Sequence, residues 1–201
     1  MNYHKLCLEI LNNLTYKPRI LLHSCCGPCS SHVITFLSKY FKIDILYYNP
    51  NIYPEEEYLK RKSEQIRLIK ELQKECELGY IDCDYDEEKY YESIKGLEEE
   101  KEGGKRCINC FKLRLEKTAI EAKKNNYDYF TTTLSVSPYK NSKILNEIGL
   151  ELEKKYNIKW LPSDFKKEEG YKKSIELSKK YNLYRQHYCG CKYSLKDYSK
   201  E

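Results

Sequence analysis

The chain has 201 residues, a formal net charge of +5 and 33% charged residues. This length suits one domain with a sizeable core, and we expect residues 1–201 to form a single domain. No apolar run approaches the ~20 residues that span a bilayer, and the N-terminal residues lack a signal-peptide pattern. We therefore expect a cytoplasmic, monomeric protein without a membrane partner. The small positive charge does not by itself identify a nucleic-acid partner.

The chain contains ten cysteines, which is many for its length. Disulfide scaffolds are usually much shorter and secreted. In a reducing compartment, clustered thiols more often indicate metal binding or redox chemistry. The cysteine pattern therefore favours metal binding or redox chemistry over a disulfide-stabilised scaffold.

Hydrophobic periodicity predicts alternating strands and helices along the first half of the chain. Buried strands are predicted at 20–22, 43–48 and 79–84. Helices are predicted at 2–14, 30–40, 55–75 and 85–96. The first helix lies within an N-terminal segment, residues 1–19, that precedes the first strand.

The same alternation continues through the second half of the chain. Helices are predicted at 111–125 and 142–156, with strands at 127–134 and 158–161. The tail, residues 166–201, is predicted to contain one more helix. Strands that alternate with helices are typical of an α/β fold with a doubly wound, mostly parallel sheet. We expect such a Rossmann-like sheet, followed by the helical tail.

Two cysteine pairs stand where a loop enters a predicted helix. Cys25 and Cys26 follow the first strand, and Cys107 and Cys110 form a CxxC motif before the helix at 111–125. In a parallel sheet, both loops can reach the same edge, where ligands bind. Four thiolates there suit a [4Fe–4S] cluster or a tetrahedral zinc, whereas a CxxC motif alone also suits a redox dithiol.

Cys189 and Cys191 form a CxC motif in the tail. The glycine between them allows both sulfurs to face the same side. Such a pair can hold one metal ion or close a small, easily reduced disulfide. Cys29 can be a further ligand or a small buried hydrophobic residue, and the sequence does not favour either role.

Other polar residues near the predicted strand ends are weaker candidates. Asp84 can supply an acid, a base or an oxygen ligand, although aspartates in such loops more often cap a helix. Arg106 and Arg185 lie close to cysteine motifs and are candidates for phosphate contacts. Tyr53 and Tyr139 lie in loops after predicted strands, where an aromatic ring can stack on a base.

Six ordered motifs between residues 20 and 195 closely resemble the cobalamin-independent epoxyqueuosine reductase family, QueH. They are His23–Cys29, Tyr48–Ile52, Cys107–Phe111, Thr131–Pro138, Pro162–Lys167 and Tyr184–Cys191. The resemblance implies two-electron reduction of epoxyqueuosine to queuosine at the wobble position of tRNA, the last step of queuosine biosynthesis. It also implies one catalytic domain of the ATP-pyrophosphatase-like architecture, with the tail packed on the active site.

The resemblance implies a [4Fe–4S] cluster held by Cys25, Cys26, Cys107 and Cys110. Cys189 and Cys191 match a redox-active pair, which is either a disulfide or the ligands of an additional mononuclear iron. The implied partners are the anticodon loop of a tRNA that bears epoxyqueuosine and an electron donor of unspecified identity. Tyr53, Tyr139, Arg106 and Arg185 are the candidate tRNA contacts.

Three other functions fit parts of the pattern. One is a zinc-stabilised RNA-binding module without a reaction, and a second is a thiol–disulfide oxidoreductase. The third is a non-redox enzyme of the ATP-pyrophosphatase type. This third function is disfavoured because cysteines replace the glycine- and serine-rich phosphate loop expected after the first strand.

Overall fold

The computed structural model describes residues 1–198, with only the backbone described for 196–198. Within this range the chain forms eight α-helices, one short 3₁₀ helix and five strands. The strands are β1 (Arg19–His23), β2 (Lys42–Tyr47), β3 (Leu78–Asp82), β4 (Tyr129–Thr132) and β5 (Lys159–Trp160). The helices are α1 (Tyr3–Asn12), α2 (Gly27–Leu37), α3 (Glu55–Leu72), α4 (Glu87–Ser93), α5 (Lys105–Lys124), α6 (Ser142–Tyr156), α7 (Gly170–Lys180) and α8 (Lys192–Tyr198).

The five strands form one sheet in the order β3-β2-β1-β4-β5, and every neighbouring pair is parallel. The predicted α/β class and doubly wound sheet are confirmed. The direction of winding reverses between β1 and β4, because the chain first adds β2 and β3 on one side of β1 and later β4 and β5 on the other. At such a switch point a crevice opens beyond the carboxyl ends of the two strands, and ligands bind there.

Alternate residues of β1 supply the cores on the two faces of the sheet, as the pleat requires. Ile20 and Leu22 pack on one face with residues of α1, α2 and α3. Leu21 packs on the other face with Leu115 of α5 and Leu145 of α6. The central strand is therefore buried on both sides, which explains its continuous apolar run.

The observed elements differ most from the predicted ones at four places. Helix α2 begins at Gly27, so Cys29 lies inside its first turn, and helix α5 begins at Lys105, so the CxxC motif lies within the helix. Strand β4 ends at Thr132 and is followed by the 3₁₀ helix Thr133–Val136. The described part of the tail contains two helices, α7 and α8, where one was predicted. Of the described helices, none combines the length and apolarity needed to cross a bilayer.

Candidate metal and redox site

The candidate site lies at the switch point between β1 and β4. Ser24 and Cys25 follow the carboxyl end of β1, and Cys26 occupies the N-cap position of α2. The 3₁₀ helix leaves the end of β4 beside them, and Thr133 Oγ1 lies 3.8 Å from Cys25 Sγ. The β1 and β4 backbones therefore hold this cysteine loop from two sides.

Three thiols come together at this edge. The sulfurs of Cys25, Cys26 and Cys29 all lie within 4.8 Å of one another, and Cys25 Sγ is 3.8 Å from Cys26 Sγ. Among the described residues, this is the one group of three or more potential metal ligands at such mutual distances. Cys29 joins the group because α2 begins early and brings its first turn back over Cys25 and Cys26.

The three thiols differ in their pKa values. Hydrogen bonds from Cys26 and Cys29 stabilise the Cys25 thiolate and hold the pKa of Cys25 well below its usual value. The same thiolate raises the pKa of Cys26 to about 12, and it also raises the pKa of Cys29. Gln186 Nε2 donates to Cys26 Sγ at 3.0 Å. Of the three thiols, Cys25 is therefore the one whose environment most favours the thiolate, the form in which cysteine binds metals.

The CxxC motif lies in the first two turns of α5. Cys107 Sγ accepts a hydrogen bond from the backbone N–H of Gly103 at 3.3 Å. Cys110 is buried, packs in one cluster with Cys191, and has its pKa raised to about 12 by burial. The motif thus faces the tail CxC motif. The CxxC thiols are not part of the three-thiol group defined by the 4.8 Å limit.

The tail CxC motif is held through its backbone by α3. The guanidinium of Arg61 is buried and donates to the carbonyl oxygens of Cys189 at 3.1 Å and Tyr188 at 3.4 Å. Glu57 accepts from Arg61 Nε at 2.7 Å and fixes the guanidinium. These contacts place the CxC motif without using its sulfurs. All ten cysteines, Cys189 and Cys191 included, are free thiols in this structure, so the disulfide alternative is not observed.

Two cations approach the sulfurs. Lys140 Nζ donates to Cys189 Sγ at 3.3 Å. Burial lowers the pKa of Lys140, but Cys189 and Cys25 outweigh burial and raise it above its usual value. Arg114 on α5 is buried and lies near Cys110, Cys189 and Cys25, which together raise its pKa in spite of its burial. These two cations therefore favour negative charge on the neighbouring sulfurs and oppose the effect of burial.

A cavity of about 460 Å³ opens onto this site. Its wall includes Cys25, Cys29 and Cys189, both cations, and residues from the tail. Tyr139, 82% exposed, and Arg185, whose guanidinium donates to Ser178 Oγ at 3.2 Å, also line it. This volume falls within the range of small-molecule sites.

Three predicted site residues lie elsewhere. Arg106 is 2% exposed and donates to the backbone carbonyls of Glu98 and Glu100, so a phosphate cannot reach it in this conformation. Asp84 lines a second cavity of about 470 Å³, which shares no lining residue with the first. Tyr53 is part of the tail contact, since its N–H donates to the Gly190 carbonyl at 2.8 Å.

Sequence reasoning missed Arg61 and Gln186, and it did not identify Arg114 and Lys140 as cations beside the sulfurs. The spacing of Arg61 and Glu57, four residues apart on α3, is the one local signal that an ion pair was present. Nothing in the local sequence indicates the carbonyl partners of Arg61 in the tail, 127 and 128 residues away.

Comparison with known proteins assigns the chain to a family. A family model described as "Epoxyqueuosine reductase QueH" matches residues 20–197. Proteins named epoxyqueuosine reductase QueH are 43% identical in Staphylococcus epidermidis, over 95% of this chain and 83% of the relative, and 40% identical in Staphylococcus aureus, over 95% and 82%. The QueH of Thermotoga maritima is 35% identical over 88% of this chain and 90% of its own. Because the family model covers most of the chain and these relatives are 35–43% identical to it, the chain belongs to the epoxyqueuosine reductase QueH family.

Proposed function

We propose that this protein is an oxidoreductase that reduces epoxyqueuosine to queuosine in tRNA. In this reaction the epoxide accepts two electrons and two protons, a carbon–carbon double bond forms, and the oxygen leaves as water. The observation that carries the proposal is that Cys25, Cys29 and Cys189 line one cavity. Cys110 of the CxxC motif packs in one cluster with Cys191 of the tail, so all three cysteine segments meet in this region. Family membership supports the same conclusion.

The residues at the site fit a [4Fe–4S] cluster. Thiolates are the usual ligands of such clusters, and a cluster with its thiolates carries net negative charge. Arg114 and Lys140 supply positive charge beside the sulfurs, and Arg114 Nη2 is buried without a hydrogen-bond partner among the described residues. We propose Cys25 and Cys26, together with the CxxC cysteines 107 and 110, as the cluster ligands. When bound, the cluster would supply electrons one at a time.

Cys29 adds an alternative to this ligand set. Its sulfur lies with those of Cys25 and Cys26, whereas Cys110 of the CxxC motif packs with Cys191 of the tail. Because thiols remain beyond the four proposed cluster ligands, we also propose an additional mononuclear iron that some of these remaining thiols would hold. Cys189 and Cys191 would either ligate that iron or act as a redox-active dithiol, since both are thiols and Cys189 faces the cavity.

The cavity supports a nucleoside as the group that enters the site. Its volume of about 460 Å³ suits one modified nucleoside rather than an intact stem. A wobble nucleotide in a single-stranded loop can be unstacked and inserted at a cost of a few kcal/mol. Tyr139 is positioned to stack on a base at the cavity, and Arg185 can approach a phosphate.

We also propose that the tail and the sheet act as one cytoplasmic catalytic domain.

Anaerobic purification tests the proposal. The protein should be brown and contain about four irons and four sulfides per chain. Cys107→Ala should remove or cripple the visible absorption. Cys76→Ala is the matched control, because Cys76 is half-buried outside the cavity and its thiol donates to the Leu72 carbonyl at 3.2 Å. Turnover is measured with epoxyqueuosine-tRNA and a strong artificial reductant.

The outcomes separate the alternatives. A colourless protein that contains zinc and binds tRNA without reducing it would support the zinc-stabilised RNA-binding module. A metal-free protein that exchanges disulfides would support the thiol–disulfide oxidoreductase. If Cys107→Ala kept a full, stable cluster, the ligand set would have to be revised toward Cys29.

A further inference from the structure

Arg114 is buried in the protein interior without a carboxylate partner. Its exposed fraction is 2%, and among the described residues no Asp or Glu oxygen lies within 4.0 Å of its guanidinium. The one hydrogen bond it donates within this range is from Nε to the carbonyl of Cys110, one turn earlier in α5, at 3.2 Å. Nη2 has no partner. A buried guanidinium in this state is costly unless an anion compensates its charge.

A second cation increases this cost. Lys140 lies near enough to Arg114 for the two positive charges to oppose each other. Glu102 also lines the cavity, but it is exposed and forms no ion pair with either cation. Among the described residues, the candidate anions near Arg114 are therefore the sulfurs. Those of Cys110, Cys189 and Cys25, one from each cysteine segment, all act on Arg114.

We propose that Arg114 is the internal counter-charge of the sulfur site. It is a positioning residue whose positive charge stabilises several buried thiolates and a metal centre that they bind. The inference rests on the proposed function only for the kind of metal centre. For thiolates alone it rests on the placement of the guanidinium. Helix α5 thereby carries both the CxxC motif and, one turn later, the charge that balances it.

The proposal predicts opposite effects in the metal-free and loaded protein. Arg114→Met removes the charge and keeps most of the side-chain volume. The metal-free variant should unfold in urea at the same or a higher concentration than the natural protein, because a poorly compensated buried charge has been removed. The zinc affinity of the variant should fall about tenfold or more, because the variant lacks the positive charge that stabilises the zinc–thiolate complex.

The iron-loaded variant gives a second readout. Loss of a nearby positive charge should make the centre release iron to a chelator about tenfold faster and should shift its reduction potential to more negative values, since added negative charge is less well stabilised. Arg114→Lys should restore most of both properties. Arg67→Met is the control, because Arg67 donates to two tail carbonyls and the charges that act on it are those of Glu64 and Glu71 rather than the sulfurs.

The possible results are distinct. Unchanged zinc affinity in Arg114→Met overturns the proposal, and so does an equal loss of stability in the metal-free and loaded forms, which would indicate a structural role. If the natural protein takes up no iron–sulfur cluster, the proposed function fails, and the zinc comparison alone decides the role of Arg114.

Discussion

Gly190→Ala should loosen the tail CxC motif. Gly190 has a φ angle of +130°, a conformation that side-chain-bearing residues rarely adopt. An added Cβ would also lie 3.1 Å from Arg61 Nη1 and 3.2 Å from Ile52 Cγ1. The backbone strain alone costs about 1–3 kcal/mol. The close contacts increase it, because Arg61 is fixed by Glu57 and cannot easily move away.

The protein can relieve this strain by releasing the motif. Release breaks two hydrogen bonds to its backbone, those from Tyr53 N–H and Arg61 Nη1, at about 1 kcal/mol each. Strain and release therefore have similar magnitudes, and we expect the substitution to shift the equilibrium toward the open form by about 2 kcal/mol. That value corresponds to a roughly 30-fold larger open population.

Hydrogen–deuterium exchange of the Tyr53 amide measures this opening directly. Exchange in the reduced Gly190→Ala protein should be at least about tenfold faster. Gly96→Ala is the matched control: Gly96 has a φ angle of +79°, and a Cβ there meets nothing within 4 Å. It carries backbone strain without the close approach and should leave Tyr53 protected. Equal exchange of the Tyr53 amide in the two variants would refute the reasoning that Arg61 holds the tail CxC motif through its backbone carbonyls.

Four further predictions concern the site and its surroundings. Burial lowers the pKa of His32 to about 4, below its usual value of 6.5, so between these pH values the unfolded chain binds one more proton than the folded protein. The free energy of unfolding should therefore decrease as the pH falls from about 6.5 to 4. His32→Gln should reduce that decrease in urea titrations. Cys189→Ala and Cys191→Ala should each keep cluster iron and sulfide but fail to convert epoxyqueuosine-tRNA, and wild-type turnover in either would remove the tail pair from the redox mechanism. Affinity for tRNA should fall steeply with salt, and Arg185→Ala should weaken binding and reduce the log–log salt slope by about one; binding that is flat in salt would contradict an RNA substrate. Gly27→Ala should change stability by less than about 0.5 kcal/mol in thermal unfolding, because its Cβ would meet no atom closer than 3.6 Å, and a larger loss would show that the α2 N-terminus is packed more tightly than described.

The order of elements could be predicted because apolar runs and helical stripes alternate along the chain. Helix α6 was predicted with its observed bounds, since Asn141 caps it and a left-handed Asn157 follows its end. The start of α2 was missed because Cys26, its N-cap residue, makes no side-chain cap hydrogen bond and gives no local signal. The β-branched Thr133 extended the predicted strand into what is a 3₁₀ helix, because strand propensity does not detect the turn.

The site could be predicted only where chemistry was visible in short motifs. The cysteine loop, the CxxC motif and the CxC motif were each identified, yet their pairing in space depends on tertiary contacts. Arg106 illustrates the difference, since its position beside Cys107 indicated an accessible cation, whereas its guanidinium turns inward to backbone carbonyls. Charge in the sequence did not distinguish a phosphate ligand from a buried counter-charge such as Arg114.

The three cysteine segments are made at very different times during synthesis. Ribosomes deliver the chain from its N-terminus, and the last strand ends at Trp160, well before Cys189 emerges. The sheet with Cys25 and the CxxC motif can therefore assemble while the side later covered by residues 184–191 is still open. Docking of the tail, whose residues 185–189 line the cavity, is therefore the last step in building the site.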